Sequence, residues 1–172
     1  MIRIAITGSP GVGKSTVCRN VLKQLTCTYG GMTSADIRVK GERVGFEIRD
    51  IATERKGILA HRQGIGPRVG SYHVNLEDLN NIGVSAIRNA MNSELIVIDE
   101  IAPMEFKSLE FIHVVEKALS SDRNMLVVLH QKSAHPLAER IRREFEVYTV
   151  TLENRESLVS GIVRKISLKA TQ

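Results

Sequence analysis

The sequence is poor in aromatic residues and in cysteine. It has no tryptophan, and phenylalanine, tryptophan and tyrosine together make up 4% of its 172 residues. So few rings argue against a surface that binds nucleic acids by base stacking. The two cysteines, Cys18 and Cys27, do not have the spacing of a metal-binding or redox motif. The sequence therefore indicates two reduced thiols.

Long apolar runs and a leader segment are also missing. No uninterrupted apolar stretch reaches the length of about 18 residues that a membrane span needs. The chain enters a strand-like pattern at Ile2, without the basic and apolar regions of a secretory signal. We therefore expect a cytoplasmic protein that does not engage a membrane.

Size and charge narrow the class of protein further. With 42% hydrophobic residues, the chain is long enough for one α/β core and too short for two, so we expect a single domain over residues 1–172. The net charge is +5, but basic residues are interleaved with acidic ones, as in residues 139–144. This pattern fits a surface that meets a polyanionic small substrate. We expect a monomer without a nucleic-acid partner.

Residues 8–15 fit the pattern G-x-x-x-x-G-K-[ST] of a phosphate-binding loop, between an apolar strand pattern and a helical one. Glycines let consecutive backbone N–H groups curl around an anion, and a helix that begins at Lys14 points its positive end at the same place. Lys14 can reach the β- and γ-phosphates, and the Ser15 hydroxyl can bind Mg²⁺. The predicted phosphate-binding residues are Gly8, Ser9, Pro10, Gly11, Val12, Gly13, Lys14, Ser15 and Thr16.

Short apolar runs alternate with helical patterns along the rest of the chain. Strands are predicted at residues 2–7, 95–98, 125–129 and 147–152, and helices at residues 14–25, 109–119 and 137–145 and around Leu158, Ile162 and Ile166. Asn75 is expected to cap a further helix, which Gly83 weakens. Period-two patterns around a glycine turn predict a β-hairpin at residues 37–48. Residues 50–72 are predicted to continue with short β-like pieces, as at residues 58–60, and with an irregular loop at residues 63–70. These elements predict an α/β fold with a mainly parallel sheet, helices on both faces and the hairpin inserted.

Two acidic residues, Asp99 and Glu100, follow the strand at residues 95–98. Ligands of such sheets sit outside the carboxyl ends of the strands, which is also the edge of the phosphate loop. Asp99 is predicted to hold Mg²⁺ together with Ser15, and Glu100 to orient and deprotonate an attacking water. The predicted catalytic residues are Lys14 and Glu100, and both acids complete the predicted nucleotide site.

A cation is also expected beside the γ-phosphate in the transition state. Four arginines are candidates, and the sequence does not choose between them: Arg38, Arg49, Arg68 and Arg155. His130, at the end of a predicted strand, could contact the γ-phosphate or the water, although a structural role is the favoured interpretation.

Several segments together resemble the THEP1 family of nucleoside triphosphatases. They lie at residues 8–16, 43–48, 68–75, 97–105 and 153–155, and the R-x-G-F, V-G-x-Y and D-E-I-x-x-M-E patterns are much more specific than the phosphate loop. The resemblance implies a RecA-like P-loop NTPase fold and Mg²⁺-dependent hydrolysis of ATP, GTP and other nucleoside triphosphates with broad base tolerance. It also implies a catalytic glutamate beside the Walker B aspartate.

The chain departs from many relatives at two places. Relatives often have an acidic residue just before the hairpin, at the position where this chain has Ala35 followed by Asp36. Many relatives also have a Gly-Lys pair where this chain has Ala102 and Pro103. Two other functions stay open: a nucleotide or small-molecule kinase, and a nucleotide-controlled module that binds RNA. A GTPase-type switch is disfavoured, because the sequence has no N-K-x-D motif and Asp99 does not begin a D-x-x-G motif.

Overall fold

The computed structural model describes residues 1–170 of the chain. Its strands are β1 (Arg3–Thr7), β2 (Tyr29–Val39), β3 (Glu42–Asp50), β4 (Lys56–His61), β5 (Arg68–Val69), β6 (Tyr72–Val74), β7 (Leu95–Ile101), β8 (Asn124–Leu129) and β9 (Glu146–Thr149). Its helices are α1 (Lys14–Leu22), α2 (Leu76–Asp78), α3 (Ser85–Ala90), α4 (Leu109–Leu119), α5 (Pro136–Glu144) and α6 (Arg155–Ala170). A π-helical segment, Leu79–Val84, joins α2 to α3, and a 3₁₀ turn, Glu105–Lys107, precedes α4.

The strands form one sheet in the order β5-β6-β4-β3-β2-β7-β8-β1-β9. From β2 to β9 all neighbours are parallel. One apolar core lies between this part of the sheet and α3, α4 and α5, and a second lies against α1 and α6 on the opposite face. The predicted α/β fold, with helices on both faces, is confirmed. No helix within residues 1–170 is long and apolar enough to cross a membrane.

The predicted hairpin is confirmed, but its first strand begins earlier than expected. β2 and β3 pair antiparallel around a turn at Lys40 and Gly41. The first half of β2, including Gly31, also pairs parallel with β7. This part of the strand lies between the predicted helix at residues 14–25 and the predicted hairpin at residues 37–48. A Cβ atom built on Gly31, whose φ is +123°, would lie 1.9 Å from the carbonyl oxygen of Val97. Glycine is therefore needed because two backbones approach closely.

Strands β4, β6 and β5 continue the sheet beyond β3 as an antiparallel extension. The predicted β-like piece at residues 58–60 is confirmed, since it lies in β4 with Leu59 buried. The short strand β5 lies in the segment predicted to be an irregular loop. Two of the family-like segments meet here. Arg43 Nε donates to the hydroxyl of Tyr72 at 3.2 Å, and the rings of Phe46 and Tyr72 are 5.0 Å apart in an edge-to-face arrangement. The R-x-G-F and V-G-x-Y segments therefore tie β3 to β6.

The remaining differences from the predicted elements concern their ends. α1 ends at Leu22 and β9 at Thr149, each three residues before the predicted end. The predicted cap is confirmed, since the side chain of Asn75 accepts a hydrogen bond from the backbone N–H of Asp78 at 3.1 Å. Gly83, which was expected to weaken the middle of this helix, lies in the buried π-helical segment. The helix therefore changes from α to π type at this glycine.

Candidate functional site

The phosphate loop turns the chain from β1 into α1. Gly13 adopts a left-handed conformation, with φ +105°, immediately before α1 begins at Lys14. As far as the described chain shows, no side chain caps α1 and its first turn holds no acidic residue. The first N–H groups of this helix therefore face outward with an uncompensated positive dipole, which suits an anion.

The loop meets the end of β7 through two of the predicted residues. Ser15 Oγ donates a hydrogen bond to Asp99 Oδ1 at 2.8 Å. In the sheet, Asp99 lies opposite Thr33 of β2 and Val128 of β8. Asp99 is 3% exposed. The register of three parallel strands thus holds this carboxylate beside the hydroxyl. A hydroxyl oxygen and a carboxylate oxygen at this separation form a donor pair suited to Mg²⁺.

Burial shifts the pKa values of both predicted acids. It raises the pKa of Asp99 to about 7, with a further rise from the charge of Glu100, while the hydrogen bond from Ser15 and the charges of Arg19 and Lys14 act in the opposite direction. The pKa of Glu100 is also raised by burial, against the charge of Lys14. Ionisation of either carboxyl group is therefore unfavourable in this buried environment unless a cation binds nearby.

A third carboxyl group, that of Glu105, is buried at the start of the 3₁₀ turn that follows β7. Glu105 is 2% exposed, and its Oε2 has no hydrogen-bond partner within residues 1–170. Burial raises its pKa well above the usual range, and the charges of Glu100 and Asp99 add to the rise. Sequence reasoning gave Glu105 no role. The available signal was its place in the D-E-I-x-x-M-E segment, flanked by Met104 and Phe106.

Lys14 and His130 contribute the basic side of the site. Lys14 Nζ donates to the carbonyl oxygen of Ser9 at 3.3 Å. His130 follows β8, between the acids and the loop, and its Nδ1 accepts from the backbone N–H of Lys132 at 3.3 Å. Burial and the charges of Lys14, Arg142 and Lys132 lower the pKa of His130. A neutral His130 then carries its proton on Nε2 and is a potential donor beside Lys14.

The structure brings two of the four candidate arginines to this edge. Arg155 Nη1 lies 3.6 Å from the position that a Cβ on Gly13 would occupy. Arg49 lines a cavity that Asp99 also lines, and is paired with Glu54 at 2.6 Å. Arg38 and Arg68 lie in the extension instead, where Arg38 pairs with Asp36 at 2.7 Å and Arg68 donates to the carbonyl of Gly70 at 2.9 Å.

The cavity beside Asp99 has a volume of about 490 Å³ and lies between α1 and the strands β2 and β3. Besides Asp99, the polar and charged residues that line it are Arg19, Lys23, Tyr29, Thr33, Ser34, Glu47, Arg49 and Glu54. Ala35, one of the departures from the family pattern, also lines it. Asp36 is engaged in the hairpin by Arg38 and, at 3.6 Å, by Arg43. The carboxylate of Asp36 therefore forms ion pairs within the hairpin and does not face the nucleotide site.

These features define a class of protein. A phosphate loop follows β1, an acidic pair ends β7, and β8 separates the two strands, which is the arrangement of a RecA-like P-loop nucleotide-binding protein. The chain belongs to the NTPase family, whose sequence pattern matches residues 3–163. The resemblance to THEP1 proteins that the motifs indicated is thereby confirmed.

Individual relatives agree with this assignment. The chain is 51% identical over 173 residues to a nucleoside-triphosphatase THEP1 of Methanosarcina acetivorans, covering 98% of this chain and 99% of the relative. It is 41% identical to the THEP1 of Methanocaldococcus jannaschii, covering 96% and 97%. The crystal structure of THEP1 from Aquifex aeolicus superposes with a TM-score of 0.86 at 28% identity, covering 96% of this chain and 99% of that one. The solution structure of a human cancer-related nucleoside triphosphatase gives 0.79 at 30% identity, covering 96% and 97%.

Proposed function

We propose that this protein hydrolyses nucleoside triphosphates to nucleoside diphosphate and phosphate in the presence of Mg²⁺. The observation that carries the proposal is the 2.8 Å contact between Ser15 and Asp99, which joins the phosphate loop to the acidic strand end. The names of the relatives, which are nucleoside triphosphatases, support the same reaction.

Lys14, Ser15 and Asp99 bind the polyphosphate end of the substrate in this proposal. Ser15 and Asp99 would hold Mg²⁺, because a hydroxyl and a carboxylate are oxygen donors of the kind that this ion prefers. When bound, Mg²⁺ supplies positive charge that offsets the negative charge of the phosphate oxygens. The backbone N–H groups at the start of α1 and the ammonium group of Lys14 neutralise the rest.

Glu100 acts as the general base. It accepts a proton from a water molecule, the water oxygen forms a bond to the γ-phosphorus, and the bond from that phosphorus to the bridging oxygen breaks. The bridging oxygen stays with the diphosphate product, where Lys14 stabilises its charge. The burial that raises the pKa of Glu100 makes the carboxylate a better proton acceptor near neutral pH.

The substrate range that we propose is broad and includes ATP and GTP. In support, the residues assigned above contact phosphate, metal or water and none of them is assigned to a base. The reaction is tested by phosphate release from ATP, GTP, CTP and UTP and from their diphosphates, with Mg²⁺ and with a chelator. We expect release from all four triphosphates, loss with the chelator, and a decrease of about 10²-fold or more in Lys14→Ala.

Lys117→Ala is the matched control, because Lys117 is exposed on α4 and far from the loop in the fold. It should leave phosphate release unchanged. Release that continues in Lys14→Ala at the normal rate would contradict the assignment of the loop.

A kinase is the second candidate function, and the cavity of about 490 Å³ beside Asp99 is the observation that favours it. Its hydroxyl and charged lining offers partners to a small polar acceptor. The same assay separates the two functions: diphosphate formation that needs an added nucleoside, nucleotide or sugar indicates a kinase, whereas equal rates without an acceptor indicate hydrolysis.

A further inference from the structure

The sheet order fixes the direction in which a bound triphosphate must run. Asp99 and Glu100 lie near the end of β7, which is two strands from β1 on one side of the phosphate loop, and β9 lies next to β1 on the other side. The γ-phosphate has to lie toward β7, because the proposed base and metal ligand are there. The nucleoside, at the opposite end of the triphosphate, is therefore directed toward β9 and the start of α6.

The loop between β9 and α6 is fastened beside the phosphate loop. The backbone N–H of Val150 donates to the carbonyl of Thr7 at 2.8 Å, and a Cβ on Gly8 would lie 2.9 Å from the carbonyl oxygen of Val150. Asn154 braces the loop from within. Its Oδ1 accepts from the N–H of Thr151 at 2.8 Å, and its Nδ2 donates to the carbonyl of Thr149 at 2.9 Å.

Arg155 occupies a position that helix electrostatics does not explain. It is the first residue of α6, where the helix dipole disfavours a cation and favours an acid such as the neighbouring Glu156. Its guanidinium has no hydrogen-bond or ion-pair partner in the part of the chain that the structure describes, and it lies against Gly13 of the phosphate loop. A cation without a protein anion, placed beside an anion cradle, fits a ligand phosphate.

Leu152 presents an apolar side chain at the same place. It is 67% exposed, on a loop that is otherwise held by hydrogen bonds. A leucine side chain can contact the flat face of any base, because it carries no donor or acceptor that would read the base edge. Contact of this kind supplies affinity without discriminating between purines and pyrimidines.

We propose that the β9–α6 loop, residues 150–155, binds the nucleoside end of the substrate, with Leu152 against the face of the base and Arg155 at the phosphates nearest the ribose. The ligand class is a nucleotide of any base. The proposal rests on the function proposed above, and it gives the broad substrate range a structural cause. It also assigns Arg155 away from the reacting γ-phosphate.

The test compares nucleotides with a ligand that has the phosphates but no nucleoside. Binding of the β,γ-imido analogues of ATP and GTP and of tripolyphosphate, each with Mg²⁺, is measured by calorimetry. In Leu152→Ser we expect about tenfold weaker binding of both analogues, corresponding to about 1.4 kcal/mol, and unchanged binding of tripolyphosphate. In Arg155→Ala we expect all three ligands to weaken by a similar factor.

Matched controls are Leu168→Ser and Arg164→Ala, because both residues are exposed farther along α6. Neither should change any of the three affinities. Equal weakening of tripolyphosphate in Leu152→Ser, or unchanged analogue binding in that variant, overturns the site, as does unchanged tripolyphosphate binding in Arg155→Ala. Because binding is measured without turnover, a protein that binds as expected but does not hydrolyse triphosphates would refute the proposed function and leave this site standing.

Discussion

The carboxyl group of Asp99 is buried, and no neighbouring side chain within residues 1–170 fully compensates for its negative charge. Its carboxyl group is 3% exposed, and the hydrogen bond from Ser15 does not compensate for the loss of water, so the pKa stands near 7 rather than at 3.8. An acid whose pKa is higher in the folded protein than in the unfolded chain takes up a proton on folding between these two pH values, so the free energy of unfolding falls as the pH rises through this range. Its contribution to the free energy of unfolding is complete below about 3.8 and is lost as the pH rises to about 7.

Asp99→Asn should therefore stabilise the metal-free protein at alkaline pH. We expect its free energy of unfolding to exceed that of the wild type by ~4 kcal/mol at about pH 8, because a neutral amide replaces a buried carboxylate of the same shape. The difference should shrink toward zero as the pH falls to about 4. Urea denaturation at several pH values in the presence of a chelator measures it.

The exposed Asp122 supplies the control variant, Asp122→Asn, which should not alter the pH dependence. If Asp99→Asn unfolds at the same urea concentration as the wild type at every pH, the buried carboxyl group does not titrate as described.

At the scale of elements, the π-helical segment packs directly on the sheet. Gly83 is buried there, and a Cβ built on it would lie 2.7 Å from Ile48 Cδ1 and 3.1 Å from Met32 Sδ. Gly83→Ala should therefore lower the free energy of unfolding by about 1–3 kcal/mol through overpacking. Gly161 in α6 is the matched position, since nothing lies within 4 Å of its Cβ.

Gly161→Ala should raise the free energy of unfolding by about 0.5–1 kcal/mol, because alanine is the better helix former. Thermal or urea denaturation of both variants checks the two signs. An increase in both variants would show that helix propensity, and not the contact with Ile48 and Met32, decides the effect at Gly83.

Elements could be predicted where local pattern and final environment agree. β7 and β8 are continuous apolar runs that are buried on both faces, and the hairpin turn at Gly41 separates two period-two segments. The start of β2 could not be predicted in this way, because Gly31 has the pattern of a helix end locally and is required only by the approach of Val97. The ends of α1 and β9 depend on local hydrogen bonds that the sequence does not reveal.

At the scale of the whole molecule, the order of strands decides which residues meet. The phosphate loop could be predicted because its spacing carries its own mechanism, and Asp99 and Glu100 because they follow a buried strand. The sequence could not assign a place at the site to Glu105 or Leu152, and it could not select Arg155 among the four candidate arginines. Their positions depend on pairings between strands that are distant in sequence, and on which side of β1 each strand lies.

The contact of Ser15 with Asp99 joins residues that are 84 positions apart in the chain. The proposed reaction depends on this contact at every step, because the phosphate loop binds the polyphosphate and the contact brings Asp99 and Glu100 to the γ-phosphate, where the water attacks. Glu100, the proposed base, is the residue whose replacement should slow hydrolysis without weakening nucleotide binding.

Phosphate release by Glu100→Gln, compared with its affinity for Mg²⁺ and the ATP analogue, tests this account most directly. Glutamine keeps the shape of Glu100 but cannot accept a proton from water, so we expect turnover to fall by about 10²–10⁴-fold while the affinity stays within about threefold. Glu116→Gln, on an exposed face of α4, should match the wild type in both. Full turnover in Glu100→Gln would contradict the account.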